Sequence, residues 1–163
     1  MFSGRETTLP QTNIPGAQGG GSSGYATPSQ TLLPTLLKWQ LLFEDPFSET
    51  LWLARAIPRS WLAPGKNVSI SRSPSSYGRL GFSLAASTPG VVRASITLAP
   101  GFKWPPGGIL LRLRSPEYPA KRISGVTVGG KPWVDFNATA ETVRFGATTP
   151  GTGALLSIVA MFA

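Results

Sequence analysis

The chain has 163 residues, 41% of them apolar and only 13% charged, with nineteen Gly, sixteen Pro and a net charge of +8. It contains neither Cys nor His, which excludes disulfide frameworks, thiolate zinc sites and catalysis by a histidine base. Its fifteen Lys and Arg never form a run of more than two, and so spread a charge argues against a nucleic-acid footprint.

Residues 1–29 are rich in Gly, Ser, Thr, Pro and Gln, with GAQGGGSSG at 16–24. Such a segment buries too little apolar surface to offset the entropy of ordering it, so a disordered tail is expected. The N-terminus lacks the basic region, apolar core and cleavage site of a secretory leader. No apolar run approaches the roughly 18 residues of a membrane helix, so no membrane span is expected.

From Gln30 the character changes. Leu32, Leu33, Leu36, Leu37, Gln40 and Leu41 follow helical spacing, and Leu42 and Phe43 widen the apolar stripe. The pattern predicts a helix over 30–45, with Pro34 in its first turn and Asp45-Pro46 ending it. Lys38, Gln40 and Glu44 are its main polar relief. So apolar a helix needs a partner surface, either the sheet behind it, a helical barrel domain or another protein.

Beyond Leu51 the period becomes two. Leu51, Leu53 and the run Ala54 to Ile57 read as a first strand closed by Pro58. Alternation then recurs at Val68 and Ile70, at Leu80 to Ala86, at Val92 to Leu98 and at Ile109 to Leu113. It continues at Val126 and Val128, at Val143 and Phe145, and at Leu156 to Phe162. Turn chemistry separates these runs: Ala63-Pro64-Gly65, Pro89-Gly90, Pro105 to Gly108, Gly129-Gly130 and Pro150-Gly151. The fold class expected is mainly β: an antiparallel β-sandwich of about eight strands over 51–163, preceded by one apolar helix and the tail.

No catalytic constellation stands out. The seven carboxylates are Glu6, Glu44, Asp45, Glu49, Glu117, Asp135 and Glu141. A glycosidase pair would need two facing each other across a sugar, whereas loop carboxylates usually cap turns or stay solvated. The Gly19 to Gly24 tract belongs to the flexible tail, so its glycine and serine spacing makes neither a nucleophile elbow nor a dinucleotide loop between strand and helix, and no Walker phosphate loop, metal-ligand cluster or other cofactor motif is present. Of the five Trp, Trp104 sits in a loop and is the best placed to stack on a sugar. With Phe102 and Tyr118 it forms the set of candidate carbohydrate contacts, while Trp39, Trp52, Trp61 and Trp133 read as packing residues. Asn67 and Asn137 match the N-glycosylation acceptor pattern.

Two stretches carry a family resemblance. Leu51, Leu53, Ala54, Ala56, Pro58, Arg59, Trp61 and Leu62 make up Leu-x-Leu-Ala-x-Ala-x-Pro-Arg-x-Trp-Leu, followed by Gly65-Lys66. Val126, Val128, Gly130, Lys131, Pro132, Trp133, Asp135 and Phe136 make up the second, followed by Glu141-Thr142-Val143. Over 41–145 the chain resembles the C-terminal end of bacterial six-hairpin glycosidase-like proteins, in which an (α/α)6 barrel is followed by a β-sandwich. The resemblance implies a sandwich that supports a carbohydrate-active barrel. The family's catalytic carboxylates lie in the barrel, so no catalytic residue carries over to this chain, and Pro58, Arg59, Trp61, Gly130, Pro132, Trp133 and Asp135 carry over as structural residues. Where a barrel would precede Gln30 there is a Gly/Ser-rich tract, which fits a fragment or a truncated product. A free-standing carbohydrate-binding or protein-interaction module stays open as the alternative.

Overall fold

A computed structural model describes residues 27–117, 119–149 and 155–163, apart from the side chains of residues 27–31 and 87. The tail over 1–26, Tyr118 and the Pro150-Gly151 turn lie outside the described residues. The chain divides into two compact units, Met1–Lys38 and Trp39–Ala163.

In the first unit the described residues belong to helix α1 (Thr27–Leu41), whose last turn enters the second unit. The helix opens on Thr27-Pro28, where the missing proline N–H costs nothing because first-turn N–H groups have no intrahelical partner. Pro34 therefore lies in the interior rather than the first turn, and removes one i→i−4 bond. Leu32, Leu33, Leu36 and Leu37 are exposed.

The helix ends at Leu41, earlier than its apolar stripe suggests, because Leu42–Asp45 is strand β1. It pairs antiparallel with β2 (Thr50–Leu53), Leu42 opposite Leu53 and Asp45 opposite Thr50. That ladder runs on into the helix terminus. The Ala54 N–H donates to the Leu41 carbonyl at 2.7 Å, and the Ala56 N–H to the Gln40 carbonyl at 3.2 Å. Carbonyls of a last helical turn lack intrahelical partners, so this hairpin satisfies them.

The remaining strands are β3 (Asn67–Ser75), β4 (Gly78–Thr88), β5 (Val91–Leu98), β6 (Ile109–Arg112), β7 (Ile123–Val128), β8 (Lys131–Trp133), β9 (Phe136–Asn137), β10 (Thr142–Phe145) and β11 (Leu155–Phe162). They form two sheets, ordered β1-β2-β6-β10-β9 and β3-β4-β5-β11-β7-β8. The eight expected strands are present, joined by β1, β8 and β9. Among the described residues every pairing is antiparallel except β2 with β6, which runs parallel.

The core lies between the sheets. Leu51, Leu53, Ile109, Leu111, Val143 and Phe145 from one, and Leu84, Ile96, Val126, Leu156 and Ile158 from the other, are buried. Each such side chain stabilises the fold by about 1.5–3 kcal/mol relative to exposure. Gly129 and Gly130, both at positive φ (56° and 78°), make the two-residue β7–β8 hairpin turn anticipated from the sequence.

Candidate functional site

The expected first strand over Leu51 to Ile57 stops at Leu53. Ala54 takes φ 55°, a left-handed conformation that ends the strand, and Arg55-Ala56 turn the chain. Ile57 then returns to the core, and Pro58, at φ −64°, leads into a 3-10 helix over Arg59–Leu62. That segment is held by three arginines, two reaching in from β6 and the residues after it and one of its own reaching out. The Arg112 guanidinium donates to the Arg55 carbonyl at 3.2 Å and Arg114 donates to the Ile57 carbonyl at 3.0 Å.

Arg59 supplies the third tie, and it joins the two motif stretches. Its guanidinium meets the Glu141 carboxylate through two parallel bonds of 2.7 and 2.8 Å, and also donates to the Ser115 carbonyl at 2.9 Å. The Glu141 side chain is only 5% accessible and also accepts the Ser115 N–H at 3.0 Å. Residues 82 positions apart are thereby locked, because a fork-to-fork arginine–carboxylate pair fixes orientation as well as distance. Burial first, and then the neighbouring charges of Arg112 and Arg59, lower the Arg114 guanidinium from its ordinary value, while Glu141 opposes them. The cluster is electropositive, with one buried carboxylate among four arginines counting Arg55.

This junction borders the outer face of the five-stranded sheet. Pairing places Phe43 opposite Trp52, Trp52 opposite Leu110, and Leu110 opposite Arg144, so the four form one row across β1, β2, β6 and β10. Phe43, Trp52 and Leu110 are half-buried. The Arg55 guanidinium stands 4.3 Å over the Phe43 ring and 5.4 Å from that of Trp52. Trp39, 48% exposed, meets Phe43 edge-on at 6.3 Å. The result is an apolar, aromatic and cationic face reaching the end of α1. Of its members, Trp39 and Trp52 read from the sequence as packing residues and Phe43 as part of a helical stripe, whereas it is a strand residue here. Arg112 and Arg114 alternate along the chain with the buried Leu111 and Leu113.

The second motif stretch also packs. Trp133 stacks on Phe145 with ring planes 22° apart, and its indole N–H reaches the Asp135 and Arg144 carbonyls at 3.2 and 3.1 Å. Gly130 turns the hairpin, Pro132 sits on the edge strand β8, where a missing N–H is tolerated, and the exposed Asp135 takes part through its backbone. Trp61 is half-buried against the core.

The candidate carbohydrate contacts are partly in view. Phe102 and Trp104 are half-buried against the core and meet each other edge-to-face, at 89° and 6.0 Å, rather than as coplanar faces. Tyr118 lies outside the described residues. Several of the described carboxylates take turn and tie roles. Asp45 accepts the Phe47 and Ser48 N–H groups, Glu44 accepts the Ser76 N–H and Glu117 pairs with Lys121 at 2.7 Å. The Asn137 side chain accepts the Thr139 and Ala140 N–H groups, while Asn67 is exposed at the start of β3. Among the described residues no group of three or more acidic side chains converges in a metal-ligating arrangement. No helix among them is long and apolar enough to cross a membrane. No protein-family model matches the chain, and comparison with curated proteins returns no match. What this arrangement can do is hold a rigid sandwich and present one aromatic, cationic face.

Proposed function

We propose that the chain is a non-catalytic C-terminal β-sandwich of a glycoside-hydrolase-like protein, supporting a carbohydrate-active (α/α)6 barrel that lies outside these 163 residues. The observation that carries this reading is the lock between the two stretches that resemble six-hairpin proteins. Arg59 and Glu141 engage each other, and the other motif residues serve turns and packing, as a supporting domain requires. Strand β1, which carries Phe43, follows α1 directly in the chain, and Trp52, Leu110 and Arg55 complete the face around it. Aromatic and arginine side chains are those enriched where proteins bind one another.

The test pairs the purified chain with the barrel domain of a six-hairpin protein that carries the same Leu-x-Leu-Ala-x-Ala-x-Pro-Arg-x-Trp-Leu strand. Titration calorimetry is expected to show one-to-one association, and the chain alone is expected to leave a panel of polysaccharides uncleaved. Cleavage by the chain alone, abolished by substituting one of its carboxylates, would overturn the reading. Glycan binding with no barrel association would favour a free-standing binding module.

A further inference from the structure

The outer face of the other sheet carries a trough of about 630 Å³ over β3, β4 and β5. Its geometry follows from small residues and one irregularity. Ser69, Ser83 and Ser95 are paired in register across the three strands, and the Ser83 and Ser95 hydroxyls are 2.8 Å apart. Beside them Gly81 lies opposite Thr97 and lines the trough where β3 closes over it. A Cβ on Gly81 would come within 2.8 Å of the Ile70 carbonyl oxygen, because β3 breaks register between Ile70 and Ser73 and crosses close above it. Arg72, at φ 51°, is part of that break. Its carbonyl accepts the Arg79 guanidinium at 3.4 Å, which sets both arginines at one end of the trough.

The charge is one-sided. Among the described residues no carboxylate lines the trough, and Glu44 of β1, which reaches the neighbouring β3–β4 turn, is engaged there by the Ser76 N–H. Arg93 is exposed on the same outer face, opposite Ala85. Ala85 lies six positions along β4 from Arg79, or about 20 Å at 3.4 Å per residue. Cations thus bracket a hydroxyl-bearing strip long enough for a chain rather than a single small molecule.

We propose that this trough binds an anionic glycan chain. Serine and threonine hydroxyls both donate and accept, as sugar hydroxyls do, and guanidinium forks match carboxylate or sulfate bidentately. A nucleic acid fits less well, since among the described residues the one aromatic lining the trough, Phe82, is buried, and single strands are held by stacking on exposed rings. The proposal goes beyond the supporting role and does not depend on a barrel.

The test is affinity electrophoresis and calorimetry of the chain with polygalacturonate (carboxylated), dextran sulfate (sulfated) and uncharged dextran, at 0.15 M salt where the Debye length is about 8 Å. Retardation by one or both anionic polymers and none by dextran is expected, and the two anionic arms distinguish carboxylate from sulfate. Arg72→Ala with Arg79→Ala should weaken binding at least tenfold. Ser83→Tyr, which fills the trough without changing charge at an exposed strand position, should do likewise, with near-ultraviolet dichroism verifying the fold. Arg122→Ala with Lys131→Ala removes the same charge elsewhere and should leave affinity within twofold. Equal losses in the two double variants, or full binding by Ser83→Tyr, would show general attraction of a basic protein to polyanions and overturn the proposal. Failure of the barrel titration alone would leave these outcomes unchanged.

Discussion

Replacing Arg59 by alanine should destabilise the sandwich far more than replacing any exposed arginine. The Glu141 carboxylate is 5% accessible and receives three hydrogen bonds, two of them from Arg59. Breaking a buried ion pair from one side costs about 3–5 kcal/mol, because the remaining charge is stranded out of water. Two features reduce that figure here: Arg59 is itself 34% accessible, and Arg114 remains beside Glu141 to offset its charge. A loss of roughly 2–3 kcal/mol is expected once the partial exposure is discounted. Urea unfolding followed by tryptophan fluorescence measures it, with a midpoint shift of about 1–2 M for a slope near 1.5 kcal/mol/M. Arg55→Ala, which removes only the contact over Phe43 and Trp52, should cost about 1 kcal/mol or less. A double-mutant cycle with Glu141→Ala should return a coupling of at least about 1 kcal/mol. If Arg59→Ala unfolds within about 0.5 kcal/mol of the parent, the junction does not hold the two motif stretches together.

Three further outcomes follow from local geometry. Gly107→Ala would drive a methyl into the Ser48 carbonyl oxygen and the Thr50 hydroxyl, so the variant should lose about 1–3 kcal/mol in the same urea assay. Glu49 is exposed at φ 49°, and Glu49→Gly should raise stability by about 0.5 kcal/mol, since a left-handed conformation costs an L-residue roughly 1–2 kcal/mol and glycine much less. The Phe47 N–H, and then the Ser48 side chain, hold the Asp45 carboxyl below the ordinary 3.8, so its titration by carbon-detected NMR should show a midpoint below that value. A depressed folded value means Asp45 contributes stability in full above about pH 4–5, and that the contribution is lost as pH falls through the folded value. A midpoint at or above 3.8 would show that the turn is not held in solution.

Much of the sandwich is legible because half-buried strands must alternate. Val92, Ala94, Ile96 and Leu98 face the core while Arg93, Ser95 and Thr97 face out, as their order along the chain requires. Gly129-Gly130 is equally readable, since both positions need positive φ. The misread element is β1. Leu41, Leu42 and Phe43 extend a helical stripe and equally suit a hairpin, and only pairing with β2, outside any local window, decides between them. Ala54 hides the end of β2 for a similar reason, because alanine carries no signal for a left-handed turn and the conformation is imposed by bonds to Gln40 and Leu41. The Arg59–Glu141 pair lies beyond local pattern altogether. Both residues fall within the family-like stretches, yet nothing in either stretch announces the other as its partner. The trough was invisible for the opposite reason: serines and a glycine on an outer face read as ordinary solvent positions until register aligns them.

Hydroxyl-radical footprinting of the chain, with and without a six-hairpin barrel domain, tests the supporting role most directly. Trp39, Phe43, Trp52 and Leu110 are expected to become protected when the barrel is added. Phe47 and Met161, exposed at 96% and 43%, serve as controls that should oxidise at the same rate in both samples. Unchanged oxidation of Phe43 and Trp52 at saturating barrel would contradict the account and leave the sandwich as a binding module in its own right.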